Sequence, residues 1–156
     1  MRHLIYSIGF LCCLAFCSCG NKQKDNAILS RTFENNSWER FDYVHGDVTI
    51  TEPTTYDLSL KIEFSENYSY DNFSMNFTVF DKDQNPYRAR DYMFRLKDAS
   101  GAWKSELKDG GYTFVLPINK ELLLNESGTY RFQLENKMPI TPLYGIKKIE
   151  LFSTPK

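Results

Sequence analysis

Leu58-Ser59-Leu60-Lys61-Ile62-Glu63-Phe64 alternates apolar and polar side chains at every step. In a strand, successive side chains point to opposite faces. This spacing therefore puts Leu58, Leu60, Ile62 and Phe64 on a core and Ser59, Lys61 and Glu63 in water. A helix would scatter the same residues around its circumference.

Working outward, the pattern recurs. Phe73, Met75, Phe77 and Val79 alternate with Ser74, Asn76 and Thr78. Tyr92, Phe94 and Leu96 form a further set, as do Tyr112, Phe114 and Leu116, then Tyr130, Phe132 and Leu134, and finally Ile149 and Leu151. Turn-forming stretches separate them: Glu52-Pro53-Thr54, Asp81 to Pro86, Asp98 to Gly101, Lys108-Asp109-Gly110-Gly111 and Ser127-Gly128. Arg31 to Glu34 reads as a first edge strand, followed by a turn at Asn35-Asn36-Ser37. Phe41, Tyr43 and Val48 to Ile50 read as extended. Pro117 is expected to end the Tyr112 strand, leaving Asn119 to Leu124 as a loop or one or two helical turns capped by Asn119. Seven or more alternating segments with turns between them predict an all-β, antiparallel two-sheet β-sandwich, Ig-like or jelly-roll-like, with a closed barrel as the competitor. Outward Lys61, Asn76, Thr78 and Gln133 argue against a membrane barrel, whose lipid face must be apolar.

The first thirty residues have a different character. Met1-Arg2-His3 is a short positive start, and Leu4 to Phe16 is apolar but shorter than the ~20 residues that cross a bilayer. Ser18 supplies the small residue that a lipoprotein signal peptidase needs before Cys19. The reading is a lipoprotein signal peptide over 1–18, a lipidated Cys19 with a polar tether over 19–30, and a β-sandwich over 31–156. The chain has four cysteines, Cys12, Cys13, Cys17 and Cys19. Cleavage before Cys19 removes three and acylates the fourth, so the exported domain has neither a disulfide nor a cysteine nucleophile. Acyl chains such as palmitate contribute about 0.8 kcal/mol per buried methylene, and two signals are needed for a stable anchor. The partner expected first is thus the lipid bilayer, reached through acylated Cys19. A tether over Gly20 to Ser30 spans roughly 17–19 Å as a flexible coil.

Without Arg2, the 19 basic residues become 18, against 20 acidic. That balance gives no footprint for nucleic acid. Aromatics make up 15% of the chain, with 12 Phe and 10 Tyr, which favours strands. His45 is the one histidine after Cys19, in an expected turn beside Gly46. One His and no Cys cannot form the usual nucleophile–base pair or a His-based zinc site. Asp81-Lys82-Asp83-Gln84-Asn85 has the spacing that opens a calcium loop, yet Pro86 stands where such a loop needs Gly and Tyr92 where it needs Glu. Asp57, Glu63, Asp71, Asp91 and Glu106 could act in pairs, but nothing selects a pair. The expectation is no catalytic residue, no metal and no cofactor. Trp38, Tyr68, Tyr70 and Trp103 fall in turns or breaks. They either plug the ends of the sandwich or form a contact patch for a protein partner or a glycan.

Several stretches together resemble the gliding-motility lipoprotein GldH family of Bacteroidetes: Phe33 with Trp38, Tyr56 to Leu60, Tyr68 to Phe73, Asp98 to Trp103, Gly128 to Phe132 and Leu143 to Ile146. Lys104-Ser105 and Glu135 to Pro139 depart from the family's common pattern. The resemblance implies a non-enzymatic outer-membrane lipoprotein that supports gliding motility or the associated secretion machinery through protein contacts in the cell envelope. It carries over no catalytic residue, only the lipidated cysteine, onto Cys19. Surface-exported lipoproteins of such bacteria resemble one another in an acidic run after the cysteine. Gly20-Asn21-Lys22-Gln23-Lys24 is not acidic, so the periplasmic face of the outer membrane is expected. The alternative is a glycan-binding lipoprotein of a nutrient-uptake system.

Overall fold

The computed structural model describes residues 26–155; Cys19, the signal segment and most of the expected tether lie outside the described residues. Eleven strands follow in order: β1 (Asn26–Thr32), β2 (Ser37–Trp38), β3 (Val44–Ile50), β4 (Thr54–Ser65), β5 (Asn72–Phe80), β6 (Pro86–Arg95), β7 (Leu107–Lys108), β8 (Gly111–Leu124), β9 (Gly128–Asn136), β10 (Leu143–Tyr144) and β11 (Ile146–Pro155). One sheet has the order β1-β11-β4-β8-β7 and the other β3-β9-β5-β6, and β2 and β10 form a small separate pair. Every pairing is antiparallel. Among the long strands, only the β5–β6 hairpin stays within one sheet; each other step along the chain changes sheet. That connectivity is a jelly roll rather than an Ig topology.

The core forms as the alternation requires. Leu60, Ile62 and Phe64 of β4 have no exposed surface, nor do Phe73, Met75 and Val79 of β5 or Phe132 and Leu134 of β9. Phe64 meets Phe73 across the two sheets with ring centroids 5.8 Å apart. Each such side chain contributes about 1.5–3 kcal/mol relative to leaving it in water.

Four expectations change. β1 starts at Asn26, so Asn26 to Ser30 belong to the sheet and not to the tether. β8 runs through Pro117 to Leu124, and no helical turn forms at Asn119. Only β7 flanks β8 on its far side, at Gly111 and Tyr112, so Pro117 sits on an edge where its missing N–H costs no ladder bond. Two register shifts opposite Tyr56 to Ser59 and a left-handed Glu121 absorb two extra residues of β8, and Leu122 and Leu124 still reach the core. His45 and Gly46 lie within β3 rather than in a turn. Finally, Phe41 is not extended but left-handed.

The antiparallel register gives the sandwich two distinct ends. Asn26, Pro155, the 51–53 link, the 81–85 turn and the 125–127 link share one end. The long connections 33–43, 66–71, 96–110 and 137–145 share the other. Seven residues of β3 separate the ends by roughly 25 Å.

On the outer face, Glu150 accepts the Lys148 ammonium at 2.8 Å and the Lys61 ammonium at 3.4 Å. Burial opposes its charge, but the hydrogen bond and charge of Lys148, with Lys61, hold the carboxyl below its ordinary value. The folded protein thus binds this proton less readily than the unfolded chain. The stabilisation is present above the ordinary carboxylate range and lost as pH falls through the folded value. Denaturation of Glu150→Gln is expected to show a deficit at neutral pH that closes below about pH 4. A deficit that stays constant into acid would contradict this.

Candidate functional site

All four aromatics singled out in the sequence lie at the end formed by the long connections, but they do not form an open patch. Trp38 is fully buried: its indole N–H donates to the Asp42 carbonyl at 2.7 Å, and its ring lies 5.0 Å from Phe33 and 6.2 Å from Phe73. Tyr68 is also buried, with its hydroxyl donating to the Asn72 carbonyl at 2.8 Å and its ring 4.5 Å from Phe64. Desolvation, with a smaller push from Tyr70, raises its phenol pKa well above the ordinary value. Tyr70 packs edge-on to Tyr68, and half-buried Trp103 stacks on Tyr112 at 4.0 Å beneath the Lys97 ammonium. The contact-patch expectation is therefore corrected for Trp38 and Tyr68, which have no free surface. Connections that fold over the open end of a sandwich need large side chains beneath them, and these residues supply them.

What the same end does expose is Phe41, at 68%. Its φ is +66°, a conformation that is an outlier for a bulky residue. The left-handed region costs an L-residue about 1–2 kcal/mol and persists only where the surroundings impose it. Those surroundings are on both sides. Arg31 grips Asp42 with two parallel hydrogen bonds of 2.7 and 2.6 Å, and the Trp38 indole holds the Asp42 carbonyl. Arg40 donates its backbone N–H to Thr141 Oγ1 at 2.9 Å and its guanidinium to the Met138 carbonyl at 2.8 Å. Thr141 in turn donates to Glu39. The Glu39–Asp42 turn is thereby locked to the 138–141 segment. Exposed Tyr43, Ile140 and Tyr144 belong to these connections and their flanking strands.

The polar residues weighed for chemistry are dispersed. Asp57 accepts the Glu121 N–H, Asp71 pairs with Lys97, Asp91 accepts from Asn76, and Glu63 pairs with Lys61. Asp81 Oδ1 accepts the backbone N–H groups of Asp83 and Asn85, both at 2.9 Å, which makes the calcium-like run a hairpin turn. His45 is exposed on β3. Among the described residues, no group of three or more His, Cys, Asp or Glu is placed to hold a metal ion, and no helix is long and apolar enough to cross a membrane.

The sequence model of a family described as GldH lipoprotein matches residues 29–151. No curated protein matches the chain. Among solved structures, one described as "CBM4 structure and function" aligns with 12% identity and a TM-score of 0.37, over 88% of this chain and 83% of that one.

Proposed function

Because the chain belongs to the GldH lipoprotein family, we propose that it acts without catalysis, as a membrane-held presenter of protein contacts that supports gliding motility or the associated secretion and envelope assembly. In this reading acylated Cys19 holds it on the periplasmic face of the outer membrane. Only Gly20 to Asp25 separate Cys19 from β1, a reach of at most about 25 Å. The end that carries Asn26 then stays close to the lipid, and the Phe41 end faces the periplasm. Confinement raises the effective concentration of that end near envelope partners without adding a contact.

The observation that carries this reading is Phe41: an exposed aromatic held in a strained conformation by four separate hydrogen-bonded restraints is pre-organised for docking. An anchor ordered before binding loses less entropy on association. Trp38 and Trp103, which a glycan-binding reading would use as platforms, are respectively enclosed and stacked on Tyr112.

Phe41→Gly separates function from folding. Glycine removes the ring and relieves the backbone, so the melting temperature is expected to hold or rise while capture of envelope proteins by the native lipoprotein falls at least about tenfold, as for loss of a hot-spot aromatic. Recovery of the same proteins in unchanged yield would overturn the proposal.

A further inference from the structure

A second surface lies on the side of the sandwich, toward the end that carries Asn26. β6 pairs with β5 alone and is the edge of its sheet over ten residues. The opposite edge of that sheet, β3, is closed off by β1, whose Ile28 carbonyl lies over Gly46. Beside β6 is a groove of about 370 Å³ lined by Tyr87 and Arg88 from β6 and by Asn119, Lys120, Glu121 and Leu122 from β8. Two tyrosines hold it in shape: Tyr87 donates its hydroxyl to the Leu123 carbonyl at 2.8 Å, and Tyr92 donates to the Ile118 carbonyl. Arg90 lies over the Tyr92 ring at 5.2 Å. Arg88, Arg90 and Lys120 form no ion pair among the described residues, although eight such pairs occur elsewhere.

We propose that this edge receives an extended acidic segment of a partner protein as an added strand. Three features select that occupant. A sheet edge offers unpaired backbone N–H and C=O groups, which a polypeptide can meet along its length. Arg88 and Arg90 are two residues apart on one face, about 6.6 Å, the spacing of alternate side chains on an extended peptide. Carboxylates at alternate positions would thus stand opposite both guanidiniums, with Lys120 facing them across the groove. A second copy of this chain fits poorly. Two-fold pairing centred on Ala89, Arg90 or Asp91 sets Arg88 against Arg90, Arg90 against itself, or Asp91 against itself, and like charges directly opposite are destabilising.

The probe is a short acetylated peptide alternating glutamate with threonine, titrated against the full-length chain in detergent micelles. Its lysine counterpart and polygalacturonate run in parallel, and backbone hydrogen exchange is read at β6. The glutamate peptide is expected to bind, to slow exchange across β6, and to lose about thirtyfold in affinity with Arg88→Gln/Arg90→Gln, the factor for two charge pairs at the upper end of the cross-strand range. Arg88→Lys/Arg90→Lys should bind nearly as the parent does. No binding by the glutamate peptide, equal binding by the lysine peptide, or arginine-dependent binding of polygalacturonate with peptide leaving β6 exchange unchanged would each overturn the proposal. Phe41 plays no part in this edge, so Phe41→Gly should bind the peptide normally.

Discussion

Trp38→Ala is expected to cost about 3–5 kcal/mol, the range for removing a large aromatic from a core. Trp38 has no exposed surface and packs on Phe33 and Phe73. Alanine leaves a void where the long connections close over the sandwich, and it removes the donor that meets the Asp42 carbonyl at 2.7 Å. Domains have only about 5–15 kcal/mol in hand, so the variant should be close to unfolding at growth temperature. In urea the midpoint should fall sharply with little change in slope. Trp38→Phe should recover much of the loss, since it restores ring volume but not the N–H. A loss below about 1 kcal/mol for the alanine variant would mean that the packing around Trp38 is not what closes this end. The effect reaches function as well. Asp42 held by Arg31 and Trp38 is one side of the clamp that keeps Phe41 left-handed, so a Trp38 variant that still folds should also bind partners less well.

Gly46→Ala is the second large effect, and it acts through β1. A Cβ on Gly46 would lie 2.2 Å from the Ile28 carbonyl oxygen and 3.0 Å from the Ile28 carbonyl carbon and Leu29 Cβ. The first two are backbone atoms, so no side-chain rotation relieves the clash. β1 or β3 must move, and β1 is the weaker: it is an edge strand hydrogen-bonded only to β11. Its release exposes Leu29, a loss of about 1.5–3 kcal/mol. Amides of 26–32 should exchange much faster than in the parent, while those of β4 and β5 change little. Trypsin should cut after Arg31 in the variant and leave that bond intact in the parent, so that a fragment beginning at Thr32 marks the variant alone. Parent-like protection of β1 would mean that the two strands can separate without losing their pairing. The expectation that placed Gly46 in a turn missed this, because a glycine needed for close approach and a glycine needed for a turn look alike in a sequence.

Much of the candidate surface was hidden for a related reason. Trp38, Tyr68, Tyr70 and Trp103 lie in breaks of the alternation, and a break suggests exposure. In a jelly roll, though, such breaks are the connections that fold over the ends, and their aromatics point inward. Phe41 gave the opposite signal. It sits near Tyr43 and Val44 in what reads as an extended run, and nothing in the residue types announces a left-handed phenylalanine. That conformation is imposed by Thr141 and Met138, about a hundred residues away, through Arg40. Arg88 and Arg90 stand opposite Val79 and Phe77, and their lack of a carboxylate partner is visible only once β6 is known to be an edge.

Residue order by itself determined the elements. Period-two alternation is a local property, so Leu58 to Phe64 and Phe73 to Val79 were legible as strands with a known buried face, as were the Asp109-Gly110 and Asp81 to Asn85 turns. The tertiary structure alone decided which strands are neighbours, hence jelly roll over Ig topology. It likewise decided that β8 can pass through Pro117, that Asn26 to Ser30 join a sheet, and which aromatics face water. Those outcomes depend on hydrogen bonds and contacts between residues far apart in the chain, and no short window of sequence contains both partners.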